Sequence, residues 1–426
     1  MRVLSLKGRN STEAEALLAR LQNRSNASYE RVMPVAQRIV ASVRKSGDAA
    51  LLRHRAKLDG LPASEPLEVT FEEMESAWQE TPADLQAAMK LATNNTRRFA
   101  EKQLPRDFTM RMVAGVTVGQ KVIPLDSVGC YVPSGRYPLP STMLMTVIPA
   151  QVAGVRRIIA VSPKPAKATL AAAYLCGVTA FYRIGGAQAI AALAYGTDSI
   201  AKVDKIVGPG NAYVTAAKKL VSFDCGIDLL AGPTEIVVAS EYGDPEGIAA
   251  DIVAQAEHDP DAMAMLVTSQ RELGRSVAAS VKERVKSNAT AREALAANGA
   301  VIIAKSAEQA REITNQLAPE HLTVDSMDDL AWVRNAGSVF VGPWSSQPLG
   351  DYVSGPNHTL PTNGAGRLRG GLSVMDYVKL VTVQEYNSDG VKKLGPAATL
   401  LAEAEGLLGH AEAVRVRVKK AGGRRG

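Results

Sequence analysis

The stretch 155–196, VRRIIAVSPKPAKATLAAAYLCGVTAFYRIGGAQAIAALAYG, alternates two kinds of segment. Short β-branched or aromatic runs, VRRIIAVSP and AFYRI, are followed by longer alanine-rich runs, KATLAAAYLCG and GGAQAIAALAYG. Short apolar strands that alternate with helices of about 10–15 residues are typical of a parallel sheet with helices on both faces. The stretch therefore predicts an α/β fold.

The same alternation continues downstream. VDKIVGPG precedes NAYVTAAKKLVS, and after GIDLLAGPTEIVVAS the strand-like runs AMAMLVTS, AVIIAK, LTV and SVFVG are separated by helical segments. We therefore predict two doubly wound units. Residues 11 to about 105 have helical periodicity, residues after about 345 are rich in Gly, Pro and Asn, and the remainder is predicted to be a small helical module.

The composition favours a soluble globular protein over a nucleic-acid-binding or membrane protein. Of the 426 residues, 46% are hydrophobic and 22% are charged. Part of the formal net charge of +6 comes from the basic tail RVRVKKAGGRRG, which is predicted to be a frayed, solvated end. The sequence has no basic run interleaved with aromatic residues and no apolar run long enough for a membrane span, and its first residues lack the apolar core expected of a signal peptide. Three cysteines without a CxxC spacing fit a reducing cytoplasm.

A histidine follows one predicted helix end. Asp244 and Pro245 favour a helix start, and Pro260 disfavours helix at the residue before it. Gln255 and His258 would then share one face in the last turn, which we expect near the carboxyl edge of the sheet, where ligands bind. A histidine that simply stabilises a helix C-terminus is the alternative.

Other candidate ligands come from later segments. Asp351 and His358 lie in the Gly- and Pro-rich stretch, and Glu405 and His410 lie in AEAEGLLGH. Two histidines and an aspartate from three segments would make a mixed nitrogen and oxygen site, for which zinc is the leading metal. The spacing alone does not establish such a site. His54, in the basic segment LLRHRAKL, is interpreted as an ordinary solvated histidine.

Two glycine-containing turns precede predicted helices. They are GPGNAYV and RIGGAQA, and neither has the GxGxxG pattern. Each turn lets a phosphate approach a helix N-terminus, or else serves only as a tight strand-to-helix turn. Both interpretations stay open on the sequence alone.

The stretch QLAPEHLTV places Glu320 and His321 directly before an apolar run. The pair is either the end of a surface helix or an acid–base pair directed into a cleft. An imidazole with an ordinary pKa near 6.5 suits proton transfer at neutral pH.

Taken together, long motifs resemble the histidinol dehydrogenase family. They are GPGNAYVTAAKKLV, AGPTEIV, QAEHDPDA, APEHL and GDYVSGPNHTLPTNGAGRLRGGLSVMDYVK, and the similarity runs from MRVL to EGLLGH. The resemblance implies two incomplete Rossmann-like doubly wound domains with small helical N- and C-terminal extensions, in a homodimer. It implies NAD-dependent oxidation of L-histidinol to L-histidine through the aldehyde, with two NAD consumed and one zinc per subunit. The expected segments are residues 1–25, then 26–130 with 235–370, then 131–234, and finally 371–426.

The resemblance also implies roles for individual residues. The zinc ligands are expected to be Gln255, His258, Asp351 and His410, and the acid–base pair to be Glu320 and His321. NAD contacts are expected at Tyr131, Gln188 and Asn211. Substrate contacts are expected at the zinc ligands, His321, Thr234 and Glu405, with Ser141 and His358 as further candidates. Glu405 and His410 are expected to come from the partner subunit.

Two positions depart from the family pattern. Thr234 stands where serine is frequent, which keeps the hydroxyl but adds a methyl group, and Ser134 stands where a second glycine is common. A related dehydrogenase of another small polar alcohol, such as a sulfonated diol, is one alternative, and an inactive binding protein is another. Many aldehyde oxidations use a cysteine thiolate, but the resemblance assigns this step to water, so Cys130 is expected to be a small buried residue.

Overall fold

The computed structural model describes residues 1–7, 11–24, 27–62, 64–134 and 137–423. The chain divides into two compact units, Met1–Gln103 with Leu125–Tyr377 and Leu104–Pro124 with Val378–Gly426. The boundary expected between residues 25 and 26 lies outside the described residues.

The strands and helices follow the alternation that the sequence predicts. In the described ranges the strands are, in chain order, β1 (Arg2–Ser5), β2 (Glu68–Val69), β3 (Phe108–Val113), β4 (Val116–Pro124), β5 (Ser127–Tyr131), β6 (Arg157–Val161), β7 (Ala180–Tyr182), β8 (Lys205–Val207), β9 (Gly226–Ile227), β10 (Glu235–Ala239), β11 (Met263–Thr268), β12 (Ala300–Ile303), β13 (His321–Val324), β14 (Ser338–Val341) and β15 (Val378–Tyr386). The helices are α1 (Ser11–Gln22), α2 (Ala27–His54), α3 (Phe71–Gln79), α4 (Ala83–Gln103), α5 (Pro140–Ala153), α6 (Lys167–Cys176), α7 (Gly186–Tyr195), α8 (Ala212–Val221), α9 (Pro245–Ala256), α10 (Arg271–Arg284), α11 (Ala289–Ala297), α12 (Ala307–Leu317), α13 (Gln347–Tyr352), α14 (Ser388–Ala404) and α15 (Leu408–Gly422).

The first sheet lies in the first unit and has six strands in the order β1-β12-β11-β10-β13-β14. All of its pairings are parallel. Neighbouring residues of β10 point to opposite faces, as strand geometry requires. Ile236 and Val238 pack with α9, α10 and α11, whereas Val237 packs with α1 and α12. Helices therefore cover both faces of the sheet, and the predicted doubly wound α/β fold is confirmed.

The second sheet, in the same unit, has the order β2-β7-β6-β5-β8-β9. β2 is antiparallel to β7, and the other pairings are parallel. The core on one face involves α2, α7 and α8. On the other face α5 is apolar around most of its circumference and almost entirely buried. The second sheet takes in β5, so the domain boundary expected between residues 130 and 131 falls inside a strand.

The second unit is not wholly helical, and the prediction for residues 371–426 is wrong on this point. β15 forms an antiparallel sheet with β4 and β3, in the order β15-β4-β3, and α14 packs on α15. The nine-residue strand VKLVTVQEY is rich in β-branched residues, a strand signal that the helical prediction overlooked. α15 extends to Gly422, so the predicted frayed end is also wrong up to that residue, and residues 424–426 lie outside the described part.

Among the described residues, none of the helices combines the length and the apolar character needed to cross a bilayer.

Candidate active site

The predicted acid–base pair lies at the amino edge of the first sheet. Thr234 directly precedes β10, Glu320 directly precedes β13, and His321 is the first residue of β13. The pairing of β10 with β13 brings these strand starts side by side. They line a cavity of about 180 Å³, here called the acid–base cavity, whose other lining residues include Ser141, Thr142, Pro209, Gln255, His258, Asp351 and His358.

The prediction that α9 ends at the carboxyl edge is therefore wrong. A crossover helix runs antiparallel to the strands that it connects, so its C-terminus returns to their amino edge. Gln255, in the last turn of α9, lies against Thr234 at the start of β10. α9 ends at Ala256, so His258 follows the helix instead of lying in its last turn, although both side chains line the acid–base cavity.

Glu320 is a buried carboxyl group with two hydrogen-bond donors. Its Oε2 accepts from the hydroxyl of Thr234 at 2.6 Å and from the backbone N–H of Glu235 at 2.8 Å. Burial raises the pKa of Glu320 to about 7, although the charge of His321 and these two hydrogen bonds oppose the rise. A carboxyl group with a pKa near neutrality can both accept and return a proton at working pH.

His321 is only 3% exposed and faces acceptors on both ring nitrogens. Nδ1 lies 3.1 Å from the carbonyl oxygen of Glu235, and Nε2 lies 3.3 Å from Oδ1 of Asp351. Nδ1 is also 3.7 Å from Oε2 of Glu320. Burial alone would lower the pKa of His321, but the two carboxylates and the Glu235 carbonyl raise it to about 9. The imidazole is thus held in a tightly defined orientation beside the cavity.

Three of the four predicted metal ligands surround the acid–base cavity. They are Gln255, His258 and Asp351. Burial opposes ionisation of Asp351, but its hydrogen bond to His321 and the nearby histidine charges hold its pKa below the usual value. Asp351 is therefore a carboxylate at neutral pH, the form that binds metals. It belongs to the short helix α13, whereas the sequence placed it in a loop.

The amide of Gln255 is nearly fully buried, with 1% of its surface exposed. Its Nε2 donates to the hydroxyl of Thr234, and its Oε1 accepts from Nε2 of Gln347. Oε1 of Gln347 is buried, and none of the described residues donates a hydrogen bond to it. In the described part of the chain, no group of three or more His, Cys, Asp and Glu side chains is arranged to hold a metal. The predicted ligand set is different in kind, because it includes the amide of Gln255 together with His258 and Asp351.

His358 and Ser141 also line the acid–base cavity. His358 Nδ1 lies 2.9 Å from the carbonyl oxygen of Asp351, and its Nε2 lies 3.2 Å from the hydroxyl of Thr142. Burial lowers the pKa of His358 despite the charge of Asp351, so its ring is neutral at pH 7.

A larger cavity of about 530 Å³, here called the second-sheet cavity, lies at the carboxyl edge of the second sheet. All three predicted NAD residues line it: Tyr131 at the end of β5, Gln188 in the first turn of α7 and Asn211 at the N-cap of α8. The strand order reverses between β5 and β8, and ligands of open α/β sheets bind at such a point.

The floor of the second-sheet cavity contains an unsatisfied acceptor. Gln188 is fully buried, its Nε2 donates to Asp59, and its Oε1 has no hydrogen-bond partner among the described residues. Gly186, at φ 61°, lies so close to Gln188 that a side chain there would meet its amide. Both features fit a cradle for a polar ligand. Ser134 lines the cavity, and its hydroxyl accepts a hydrogen bond from the backbone N–H of Lys164.

Glu405 and His410 belong to the second unit. Glu405 is the C-cap of α14, and His410 lies in the first turn of α15. Both side chains are exposed within that unit.

Several residues that contact the predicted set carried no recognised signal in the sequence. Arg24 and Glu235 form a buried ion pair beside Glu320, and Asp59 holds Gln188. Their partners are remote in sequence, so only the fold brings them together. Cys130 is fully buried, and burial raises its pKa to about 12, so the prediction that it is a small buried residue is confirmed. His54 is half-buried and hydrogen-bonded to Ser42, so it is less solvated than predicted.

The fold is that of a Rossmann-like α/β protein, with the buried Glu320–His321 pair beside one cavity and the predicted NAD residues around another. The model of the histidinol dehydrogenase family matches residues 22–418. Histidinol dehydrogenase of Geobacillus kaustophilus is 46% identical over 90% of this chain and 93% of its own, and that of Aquifex aeolicus is 45% identical over 89% and 91%. The crystal structure of histidinol dehydrogenase from Elizabethkingia anophelis has a TM-score of 0.87, 34% identity and coverage of 91% of this chain and 92% of its own.

The chain therefore belongs to the histidinol dehydrogenase family, which makes it an oxidoreductase of histidine biosynthesis.

Proposed function

We propose that the protein oxidises L-histidinol to L-histidine through the aldehyde, with two successive hydride transfers to NAD at one site. The observation that carries the proposal is the buried Glu320–His321 pair at the edge of a cavity lined by Gln255, His258 and Asp351. The overall change converts the alcohol, one water and two NAD+ into a carboxylate, two NADH and three protons.

In the first oxidation, His321 accepts the hydroxyl proton through Nε2 while hydride leaves the carbinol carbon. Its Nδ1–H is bonded to the Glu235 carbonyl, so proton transfer uses Nε2, which faces Oδ1 of Asp351 in the metal-free protein. Binding of the Asp351 carboxylate to a metal would release Nε2 and remove a contact that raises the pKa of His321, so that the ring could act as a base near neutral pH. In the second, Glu320 removes a proton from water as it adds to the aldehyde, and His321 returns its proton to the aldehyde oxygen, which gives the hydrate. His321 then accepts a hydroxyl proton of the hydrate as the second hydride departs.

The donor set fits zinc, because an imidazole, a carboxylate and an amide oxygen are ligands that zinc accepts. Gln255, His258 and Asp351 would hold the ion, and all three line the acid–base cavity. Zinc would bind the amine and imidazole nitrogens of the substrate and so orient its carbinol carbon. His410 would supply the fourth ligand, and Glu405 a contact to the substrate ammonium.

NAD fits the second-sheet cavity. Its volume of about 530 Å³ lies in the usual range for ligand cavities, and Gln188 offers a buried free acceptor. Tyr131 and Gln188 would position the nucleotide, and Asn211 would hold the α8 N-terminus beside it. We further propose a homodimer in which Glu405 and His410 act on the partner's site, and a cytoplasmic location, which the three free cysteines fit.

The proposal is tested by adding L-histidinol and NAD to the zinc-loaded protein and measuring NADH. A sulfonated diol and other small polar alcohols are compared at the same concentrations. Rapid NADH formation with histidinol alone supports the proposal. Rapid formation only with another alcohol would favour a related dehydrogenase, and no formation with any alcohol would favour an inactive binding protein.

A further inference from the structure

The loop Gly208–Pro209–Gly210–Asn211 separates the two cavities. Pro209 lines the acid–base cavity, whereas Asn211 lines the second-sheet cavity. Asn211 caps α8, because its Oδ1 accepts from the N–H groups of Tyr213 and Val214. The position of this loop therefore fixes how the walls of the two cavities are placed relative to each other.

The loop begins at a constrained glycine. Gly208 has φ 109°, a conformation that side-chain-bearing residues rarely adopt, and a Cβ there would collide with the carbonyl oxygen of Tyr131. The backbone at Gly208 thus passes close to the end of β5, directly beside a predicted NAD residue.

A buried ion pair holds both polar groups of Gly208. The N–H of Gly208 donates to Oδ2 of Asp228 at 2.7 Å, and Nζ of Lys218 donates to the Gly208 carbonyl oxygen at 2.7 Å. Lys218 and Asp228 are themselves 2.5 Å apart, with side chains 2% and 0% exposed. Oδ1 of Asp228 also accepts from the N–H of Leu229.

We propose that Lys218 and Asp228 are positioning residues. By binding the carbonyl oxygen and the N–H of Gly208 they act as a clamp on the loop, and this clamp sets the distance between the nicotinamide and the carbinol carbon. This inference rests on the proposed NAD-dependent oxidation. A buried ion pair is not required for a stable fold, because replacing both residues with apolar residues of similar volume often leaves the free energy of unfolding unchanged. The contribution of this pair is directional, because the carboxylate and the ammonium bind the two backbone groups on either side of the Gly208 Cα, the N–H and the carbonyl oxygen.

The test compares two lysines. Lys218→Met removes the clamp, and Lys205→Met is the matched control. Lys205 donates to the carbonyl oxygen and carboxylate of Asp376 and lies at the start of β8, at the sheet edge opposite to Gly208. Since Lys218→Met leaves a buried carboxylate unpaired, the double variant Lys218→Met with Asp228→Asn is made as well.

For each folded variant, NAD affinity is measured by calorimetry, and kcat and KM are measured with histidinol and with histidinol deuterated at the carbinol carbon. Clamp variants are expected to lose about 10- to 100-fold in kcat, the usual effect of misplacing reacting groups by about 1 Å. They are also expected to bind NAD more weakly and to show a larger isotope effect on kcat, while the KM for histidinol stays near the wild-type value.

Clamp variants that match Lys205→Met in kcat, isotope effect and NAD affinity would overturn the inference. So would failure of both clamp variants to fold, because the pair would then be a folding determinant. A wild-type protein without histidinol oxidation would instead overturn the proposed function, so the two failures are distinguishable.

Discussion

Glu235 and Glu320 each accept a hydrogen bond from the other's backbone. The N–H of Glu235 donates to Oε2 of Glu320 at 2.8 Å, and the N–H of Glu320 donates to Oε2 of Glu235 at 3.3 Å. Two carboxyl groups that are 2% and 7% exposed thus lie side by side. The guanidinium of Arg24 neutralises the charge of Glu235, to which it donates two hydrogen bonds at 2.5 and 2.8 Å. The negative charge of Glu235 contributes to the raised pKa of Glu320.

Arg24→Met is expected to lower the free energy of unfolding by about 3–5 kcal/mol, because it leaves the buried Glu235 carboxylate unpaired. Urea denaturation measures the change. The matched control is Arg20→Met, which removes an exposed arginine of α1 that donates to Asn298 and Ala297. The control is expected to cost less than about 1 kcal/mol. Equal losses in the two variants would show that the Arg24–Glu235 pair is energetically unimportant.

The imidazole of His321 is expected to titrate near pH 9 in the metal-free protein. Its pKa is raised by Glu320 and Asp351, so Glu320→Gln and Asp351→Asn should each lower it. Because the folded pKa exceeds the unfolded value of 6.5, this interaction stabilises the fold fully below pH 6.5 and is lost as pH rises through about 9.

Nuclear magnetic resonance of histidine-labelled protein can measure this titration, since the chain has five histidines. His358 serves as an internal reference whose pKa should lie below its ordinary value. Glu241→Gln is the control substitution, because Glu241 binds Ser269 at the opposite edge of the sheet. An unchanged His321 pKa in both Glu320→Gln and Asp351→Asn would contradict the electrostatic account.

His258→Asn is expected to weaken zinc binding by at least about 10-fold, as loss of a ligand or of its supporting contact usually does. Zinc content after dialysis against a graded chelator measures the affinity, and added zinc should restore part of the activity. His54 is hydrogen-bonded to Ser42 and is not among the residues that line the acid–base cavity, so the control variant His54→Asn should retain wild-type zinc. Full activity in metal-stripped wild-type protein would rule out the zinc site.

Much of the fold could be predicted from hydrophobic periodicity. Strands such as β11 and β12 are buried on both faces, so they are continuous apolar runs bounded by helices and are easily recognised. The hairpin of β3 and β4 and the strand β15 were missed because their residues are mostly exposed and lack a buried stripe. The β-branched residues of β15 were its local signal, because its partner β4 lies more than 250 residues away in sequence.

The candidate site divides in a similar way. Gln255, His258, Asp351, Glu320 and His321 were predicted from motifs, and the fold brings all five to one cavity. The prediction that this cavity lies at the carboxyl edge of the sheet is wrong, because α9 runs antiparallel to the strands and its C-terminus returns to their amino edge. Arg24, Asp59, Lys218 and Asp228 act through partners between 10 and 211 residues away, and nothing in their local sequence marks those partners.

Mixing two inactive chains is expected to restore activity if Glu405 and His410 act on the partner's site. One chain carries Glu320→Gln with His321→Asn, and the other carries His410→Asn. At equal mixing about half of the dimers contain one of each chain, and each of these has one complete site, so about a quarter of wild-type activity should return. Subunit exchange is followed with two fluorescent labels. Exchange without any return of activity would place His410 at its own chain's site or at none.

The central claim is that the Glu320–His321 pair supports both oxidations at one site. The most direct measurement counts NADH and L-histidine formed per L-histidinol in a reaction run to completion, with wild-type protein and with Glu320→Gln. We expect two NADH and one histidine per histidinol from the wild type. From Glu320→Gln we expect about one NADH early in the reaction, with the aldehyde accumulating, because hydration of the aldehyde needs the Glu320 carboxylate as base. A variant that oxidises added aldehyde at the wild-type rate but fails on the alcohol would contradict the assignment.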